Sequence, residues 1–332
     1  MKKNFLIISG LLLLLMVLVV VSLLSGSVKI SVSSLISLSL DEVQAKIFYD
    51  IRLPRVIISI LVGAALGSAG IILQSLLKNN LAEPGLLGIS AGAGFGAILI
   101  FLLPWLISFY FVTPVSFVFA FLTTLFIYLI AKGIDDKYSN FISSNKIILA
   151  GIAVNALLAS VNGFLLLRAG RSVAQIIFWL NGGLSGRGWT EIYMAGGFIL
   201  TGVFATVLIS KELNILSMGE ELSISVGLNI KRVQALCIFI SSVLAGGAVA
   251  ISGIISFVGL VVPNIAKIMV GADHRAAVVC SVLLGAIFLV ISDLVARTII
   301  APSELPVGIV TSFIGAPVFI WIIYRSQKFK TI

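Results

Sequence analysis

Residues 56–77 read VIISILVGAALGSAGIILQSLL, a run of 22 residues without a charged side chain. A helix needs about 20 mainly apolar residues to cross the hydrocarbon layer of a bilayer, so this run predicts a membrane crossing. Gly63, Gly67 and Gly70 form a small-residue face that would let a neighbouring helix approach closely. An interruption follows at residues 79–85, NNLAEPG, which predicts that the helix ends there.

The rest of the chain repeats this composition. Apolar residues make up 60% of the 332 residues and charged residues only 11%, which excludes a water-soluble enzyme. Nine further apolar runs bring the predicted crossings to ten, near residues 5–24, 56–77, 86–103, 112–131, 147–167, 192–210, 233–252, 254–270, 276–296 and 307–324. The eighth run is the weakest, because Pro263 and Lys267 interrupt it. The predicted fold class is all-α: one polytopic transmembrane domain, residues 1–332, of about ten helices.

The distribution of charge predicts the orientation. The first run exceeds the usual hydrophobic length of a signal peptide and no cleavage site of the A-x-A type follows it, so we expect a retained span. With ten spans and an inner N-terminus, 14 of the 22 Lys and Arg residues fall on the inner side. This bias places both termini in the cytoplasm. The net charge of +9 is then explained by inner loops rather than by nucleic acid.

A second interrupted stretch, residues 246–271, resembles the first in having Gly253 and Gly259 before Pro263 and Asn264. Breaks at corresponding places in two halves indicate internal repeats and a substrate path, although plain helix packing explains any single glycine. The residues that either line a pathway or pack helices are Gly70, Gln74, Asn79, Pro84, Gly88, Pro263, Asn264 and Asp293. The cysteines, Cys237 and Cys280, lie in apolar runs and are predicted to be packing residues.

The polar stretch between the sixth and seventh runs predicts a rigid inner knob. Ser217 and Glu220 have the spacing of a capping box, and Gly227 can end the short helix in a left-handed conformation. Asn229 can then cap the next helix. Two helices joined by a tight turn could transmit force, whereas the plainer interpretation is a solvated connector.

Together, these and other motifs resemble the FecCD family of permease subunits, which serve ABC importers of ferric siderophores, haem and cobalamin. The resemblance covers nearly the whole chain and rests on Arg52-Leu-Pro-Arg55, Gly70 with Gln74, residues 79–92, 179–186, 220–229 and 257–264, Asp273-His-Arg275, Asp293 with Arg297, and residues 304–308 through 315–317. The chain departs from the family pattern at Asn80, where Pro is usual, and at Asn264, where His is usual. The second departure puts any role for a His there in doubt.

The resemblance implies a ten-helix permease of the type II importer class in the cytoplasmic membrane of a bacterium. Its expected partners are a second permease copy or homologue, ABC ATPase subunits, an extracytoplasmic substrate-binding protein and the lipid bilayer; no cofactor, metal site or catalytic residue is expected. The cargo that the resemblance implies is an iron complex such as a ferric siderophore, with haem as the second candidate and cobalamin as the third. ATPase coupling is assigned to a segment near residues 217–232, through Ser217, Glu220, Glu221, Gly227 and Asn229.

Three outer arginines have two interpretations. The resemblance implies that Arg52, Arg55 and Arg297 receive carboxylates of the binding protein, which suits the bidentate guanidinium. Interfacial anchoring of long basic side chains is the alternative. Asp293 lies four residues before Arg297, on the same helical face, and a structural pair between them is predicted. His274 is expected to be a surface residue rather than a metal ligand.

The sequence also weighs against other classes of membrane protein. It contains no G-x-x-x-x-G-K-[ST] motif, so ATP must be hydrolysed by another chain. An ion-coupled secondary transporter would need unpaired carboxylates at membrane depth, and only Asp293 clearly lies there, with Arg297 as its expected partner. An intramembrane enzyme would need a catalytic constellation, and no recognisable one is present in the sequence.

Overall fold

The structure is a computed structural model that describes residues 2–26, 41–103, 108–133 and 142–328. Within these ranges it consists of helices and connecting segments, with no strand. Ten apolar helices form the body: α1, Lys2–Leu24; α2, Leu53–Leu76; α3, Ile89–Leu102; α4, Val112–Gly133; α5, Ser144–Arg168; α6, Trp189–Leu208; α7, Ile230–Ser252; α8, Val258–Val270; α9, His274–Thr298; and α10, Val307–Lys328. They coincide with the ten predicted runs, so the all-α membrane architecture is confirmed.

Shorter elements connect these helices. Glu42–Lys46 and the π-helix Ile47–Arg52 run directly into α2, and one-turn 3₁₀ helices lie at Pro84–Leu87, Phe109–Phe111 and Gly170–Ser172. The helix Val173–Leu180 precedes α6. Between α6 and α7 lie Ser210–Ser217 and Glu220–Ser225, which we call the first and second elbow helices and together the elbow. One continuous hydrophobic cluster takes buried residues from all ten body helices, which favours a single domain.

The antiparallel pair α2 and α9 forms the centre of the body. Most of α2 is buried, as expected of a helix that is apolar around its whole circumference. A Cβ on Gly63 would overlap the backbone oxygen of Gly285 and a Cβ on Gly285 would overlap that of Gly63, so both residues must be glycine for the helices to touch. One helical turn on, Ser281 Oγ donates to the Gly67 carbonyl at 2.9 Å. The predicted small-residue face of α2 is therefore a helix-packing surface.

Two body helices are too short to span the bilayer. Eight helices of the described chain are long and apolar enough to cross, whereas α3 and α8 have 14 and 13 residues. At 1.5 Å per residue each is about 20 Å long, against about 30 Å of hydrocarbon. Each begins after a residue with positive φ, Gly88 at 72° and Phe257 at 69°. Both short helices thus begin at a break in the backbone, and the predicted internal repeat stays a prediction.

The break in the second half does not lie where the sequence indicated. Pro263 was expected to interrupt the eighth span, but it lies inside α8, and the non-helical segment is 253–257. Proline has no N–H to donate to the carbonyl four residues back, which here belongs to Gly259. That carbonyl faces α2 instead, where a Cβ on Gly70 would overlap it. Helix α8 tolerates Pro263 because the carbonyl that loses its donor lies against a glycine.

The elbow differs from its predicted form at its start and agrees at its end. The capping box of Ser217 and Glu220 is wrong: Ser217 ends the first elbow helix, and its hydroxyl donates to the Asn214 carbonyl at 2.7 Å. Gly219 lies between the two elbow helices with φ of 116°, a conformation that is strained for residues other than glycine. Gly227 is left-handed with φ of 87°, and Asn229 Oδ1 accepts from the Arg232 N–H at 3.1 Å, both as predicted.

The elbow and the start of α1 lie at the same end of the body. Asn4 Nδ2 donates to the Val270 carbonyl at the end of α8, and Asn214 of the elbow contacts Asp273 three residues further along the chain. Arg297, at the end of α9, contacts the end of α1 at the opposite face. If the N-terminus is cytoplasmic, as the charge bias predicts, so is the elbow.

Candidate functional sites

At the face opposite the elbow, the ends of α2 and α9 carry a cluster of charged residues, which we call the arginine cluster. Arg55 Nε donates to Asp293 Oδ1 at 2.9 Å, and Arg55 Nη1 donates to both carboxylate oxygens of Glu304 at 2.9 and 3.0 Å. Arg55 is 7% exposed and Asp293 is fully buried. A carboxylate inside a membrane protein needs a compensating partner, and here it comes from the neighbouring helix. The cluster therefore joins α2, α9 and the segment before α10.

The two other arginines of the cluster bind the end of α1. Arg52 Nη1 donates to the carbonyls of Leu23 and Leu24 at 2.8 and 3.0 Å. Arg297 donates to Ser22 and to the Ser25 carbonyl. The last carbonyls of a helix have no partner within the helix, so guanidinium donors satisfy them well. A cavity of about 210 Å³ opens beside all three arginines and Glu304.

The predicted pair of Asp293 with Arg297 is present as an ion pair, and Arg55 is a second, closer partner of Asp293 that the sequence did not indicate. Arg297 Nε lies 3.6 Å from Asp293 Oδ2, too far for a hydrogen bond, whereas Arg55 is at hydrogen-bonding distance from the other oxygen. The sequence showed the spacing of four residues within α9 but not the register between α9 and α2. Docking by Arg52, Arg55 and Arg297 stays a prediction, and the structure adds that each guanidinium already makes contacts within the chain.

Glu304 gives this cluster a predicted dependence on pH. Burial raises the pKa of this carboxyl, but hydrogen bonds and charge from Arg55 outweigh burial, so the pKa is lower than usual. Its ionised form thus stabilises the fold above the ordinary carboxyl pKa, and this contribution is lost as pH falls through the lowered value. We expect Glu304→Gln to cost roughly 1 kcal/mol of unfolding free energy at pH 7 and progressively less towards pH 3. Unfolding of the purified protein in detergent across that range measures the difference, and a cost independent of pH would contradict it.

The pathway-or-packing candidates meet where α8 crosses α2. Gln74 Nε2 donates to the Leu260 carbonyl at 3.1 Å, and Lys267 Nζ donates to Gln74 Oε1 at 3.2 Å. Asn264 Nδ2 donates to the Asn80 carbonyl at 2.9 Å. These contacts attach the segment between α2 and α3 to the broken helix α8. In the single chain both amides therefore bind neighbouring backbone.

The remaining candidates shape the segment that leads into α3. Asn79 Oδ1 accepts from the Leu81 N–H at 2.8 Å, which is the turn that asparagine favours. Pro84 opens the 3₁₀ turn and contacts Gly259, and Gly88 supplies the left-handed residue from which α3 begins. Burial raises the pKa of Glu83, whose carboxylate accepts from the backbone of Phe257 at the start of α8. The two breaks therefore touch each other.

The elbow has one buried and one exposed side. Leu213 and Leu216 of the first elbow helix are buried against the body. In contrast, Met218, Leu222, Ile224 and Val226 are 65%, 56%, 46% and 68% exposed, and Glu221 and Asn229 are exposed beside them. Exposed apolar side chains on a polar loop are typical of surfaces that bind a protein or a membrane, because water solvates apolar surface poorly.

Sequence reasoning missed one polar residue and misplaced another. His274 was expected at the surface, but it is 4% exposed and lies between Ser75 and Asn214. Asn214 was not singled out at all. The available signal was Asp273, which caps α9 through the Arg275 N–H at 3.0 Å and so fixes His274 in the first turn. Its burial depends on the first elbow helix folding back, which no local pattern shows.

Comparison with known protein families gives a match over most of the chain. The model of the FecCD transport family matches residues 14–325. The ABC transporter permease protein YvrB of Bacillus subtilis is 40% identical over 87% of this chain and 81% of that protein. The hemin transport system permease protein HmuU of Yersinia pestis is 35% identical over 96% of this chain and 95% of that protein.

Solved structures of ABC transporter proteins also match this chain. A metal-chelate type ABC transporter in an inward-facing conformation matches with a TM-score of 0.87 and 30% identity, over 96% of this chain and 99% of that one. PsaBC from Streptococcus pneumoniae matches with a TM-score of 0.55 at 19% identity, over 81% of this chain and 89% of that one, and shows likeness of fold alone.

Proposed function

The chain belongs to the FecCD transport family, and on that premise we propose that it is the permease subunit of an ATP-driven importer in the cytoplasmic membrane of a bacterium. Its proposed cargo is an iron complex such as a ferric siderophore, with haem as the second candidate and cobalamin as the third. Relatives named for hemin, cobalamin and siderophore transport support this range without ordering it.

The observation that carries the proposal is the exposed apolar surface of the elbow. An importer whose permease has no phosphate-binding loop must receive its energy through contact with another chain. The second elbow helix offers Leu222 and Ile224 to such a partner beside an exposed Glu221, while its other side is held by the first elbow helix. We assign this surface to the groove of a separate ATPase. Because the first elbow helix supports the second, a displacement of this surface is transmitted to the body and does not deform the loop.

The opposite face provides the proposed docking site of a substrate-binding protein. Its cavity is lined by three guanidinium groups, of Arg52, Arg55 and Arg297, and by the carboxylate of Glu304. Even with the buried Asp293 behind Arg55 counted, the cluster is positive overall. Positive clusters favour acidic partners and speed their encounter. A second permease copy or homologue would complete the pathway alongside the broken helices.

Reconstitution tests the proposal directly. The permease would be placed in liposomes with its ATPase chain and binding protein, and uptake of a radioactive ferric siderophore, haem or cobalamin measured with ATP inside. We expect uptake of the iron complex, none with an ATPase that cannot hydrolyse ATP, and little without the binding protein. Uptake driven by an ion gradient with the inactive ATPase would instead favour a secondary transporter.

The charges at the start of the second elbow helix allow a sharper test. We expect the double reversal Glu220→Lys and Glu221→Lys to lower uptake roughly tenfold, the effect of losing about 1.4 kcal/mol of contact with the ATPase. Insertion should not change, because Glu221 lies exposed outside the body. Transport assays on equal amounts of membrane-inserted protein measure the effect. Glu42→Lys, an exposed helical carboxylate at the other face, is the control; unchanged uptake in the double variant would count against coupling.

A further inference from the structure

A chain of hydrogen bonds connects the elbow with both central helices. Asn214, on the first elbow helix, lies 2.8 Å through Oδ1 from His274 Nδ1, the first residue of α9. The other ring nitrogen, Nε2, lies 2.6 Å from Ser75 Oγ at the end of α2. Ser75 and His274 are 3% and 4% exposed, so water competes little for these bonds. We call Asn214, His274 and Ser75 the link.

The donors and acceptors of the link follow from Asp273. An ionised carboxylate only accepts, and hydrogen bonds from Asn214 and from the Arg275 backbone lower the pKa of Asp273. Asn214 therefore directs its NH₂ group towards Asp273, at 2.8 Å, and its oxygen towards His274. Asn214 Oδ1 accepts from the His274 backbone N–H and from His274 Nδ1–H, each at 2.8 Å. A neutral imidazole then accepts at Nε2 from the Ser75 hydroxyl, whose single proton it shares with the Ile71 carbonyl at 2.8 Å.

The link continues to the exposed surface of the elbow. Ser223 of the second elbow helix is buried and donates through Oγ to the Ile215 carbonyl at 2.9 Å, next to Asn214. Leu213 and Leu216 hold the first elbow helix against the body on either side of Asn214. A displacement of the second elbow helix thus reaches Asn214 through packed or hydrogen-bonded groups.

Beyond the link lies a pair of helices that can move as one unit. Helices α2 and α9 touch at Ser75 and His274, at Gly63 and Gly285, and at Arg55 and Asp293. These contacts run from the elbow face to the arginine cluster. The close backbone approach at the glycines resists sliding, because packed interfaces have few alternative arrangements.

We propose that Asn214, His274 and Ser75 are positioning residues that make α2 and α9 move together with the elbow, so that work done at the ATPase surface reaches the arginine cluster. This inference rests on the proposed function. It assigns to His274 neither metal binding nor contact with cargo. Apolar packing alone would hold the elbow in place, whereas the directional bonds fix which way the central pair moves with it.

The test compares uptake with ATP hydrolysis in the reconstituted complex of permease, ATPase and binding protein. The variants are Asn214→Ala and His274→Ala. The matched control is Ser281→Ala, which removes a buried hydrogen bond between the same two helices without touching the link. We expect both link variants to hydrolyse ATP within about twofold of the unmodified complex and to import roughly tenfold less per ATP, a change within the usual range of coupling free energies. The control should keep the unmodified ratio.

Each outcome decides the inference. An unchanged ratio of uptake to hydrolysis in the link variants overturns it, and so does an equal loss of that ratio in Ser281→Ala. Asn214 is only half-buried, so Asn214→Ala carries the test if His274→Ala does not assemble. Failure of the unmodified complex to import with ATP would overturn the proposed function instead, and is seen before any variant is made.

Discussion

Replacing Arg55 by leucine is expected to cost about 3–5 kcal/mol of unfolding free energy, because it leaves Asp293 buried without its main partner. Asp293 is fully buried, and only Arg55 reaches it at hydrogen-bonding distance among the described residues. The variant also removes the two hydrogen bonds that Arg55 Nη1 donates to Glu304. Chemical unfolding in detergent micelles measures the loss, and a sharp fall in membrane-inserted protein should accompany it.

The double variant Arg55→Leu with Asp293→Leu separates the cost of a buried carboxylate without its hydrogen-bonded partner from the cost of lost packing. Replacing both members of a buried pair by apolar residues is often neutral or stabilising, so the double variant should be more stable than Arg55→Leu alone. Arg171→Leu, at an exposed position, serves as the control and should change stability little. If the double variant were as unstable as the single one, the pair would not be the source of the cost.

The helices could be predicted from the sequence because membrane crossing depends on local composition. Every predicted run is a helix in the structure, since lipid forces each segment to satisfy its own backbone hydrogen bonds. The position of the second break could not be predicted in the same way. Pro263 signals a break in isolation, yet the helix passes through it because Gly70, almost two hundred residues away, leaves room for the Gly259 carbonyl.

The candidate sites show the same difference between features set by neighbouring residues and features set by contacts between helices. Gly227 and Asn229 were placed correctly, because turns and caps depend on residues a few positions apart. The ion pair of Asp293 with Arg297 was predicted, but its closer partner Arg55 was missed, since spacing within α9 says nothing of the register of α2 against α9. His274 was misplaced for the same reason: its environment is made by Asn214 and Ser75 from two other helices.

The contact between Gly70 and Gly259 should be almost as sensitive as the buried ion pair. We expect Gly70→Ala to cost roughly 3 kcal/mol, the upper end for overpacking, because the new methyl group would meet a backbone carbonyl rather than a side chain that can rotate away. This cost is a net value, which already includes the gain of about 1 kcal/mol in helix propensity that alanine brings. Unfolding in detergent micelles gives the stability, and ATP-driven uptake shows whether α8 keeps its position against α2.

Gly197→Ala is the matched control for this effect. Gly197 lies in α6, is exposed, and has open space where a Cβ would be added, so alanine should be neutral or slightly stabilising there. The contrast isolates the close approach, because both variants add the same methyl group to a helix. If Gly70→Ala were as stable as Gly197→Ala, α2 and α8 would not need to touch at this point. The presence of Gly70 opposite the Gly259 carbonyl would then not explain why α8 continues through Pro263.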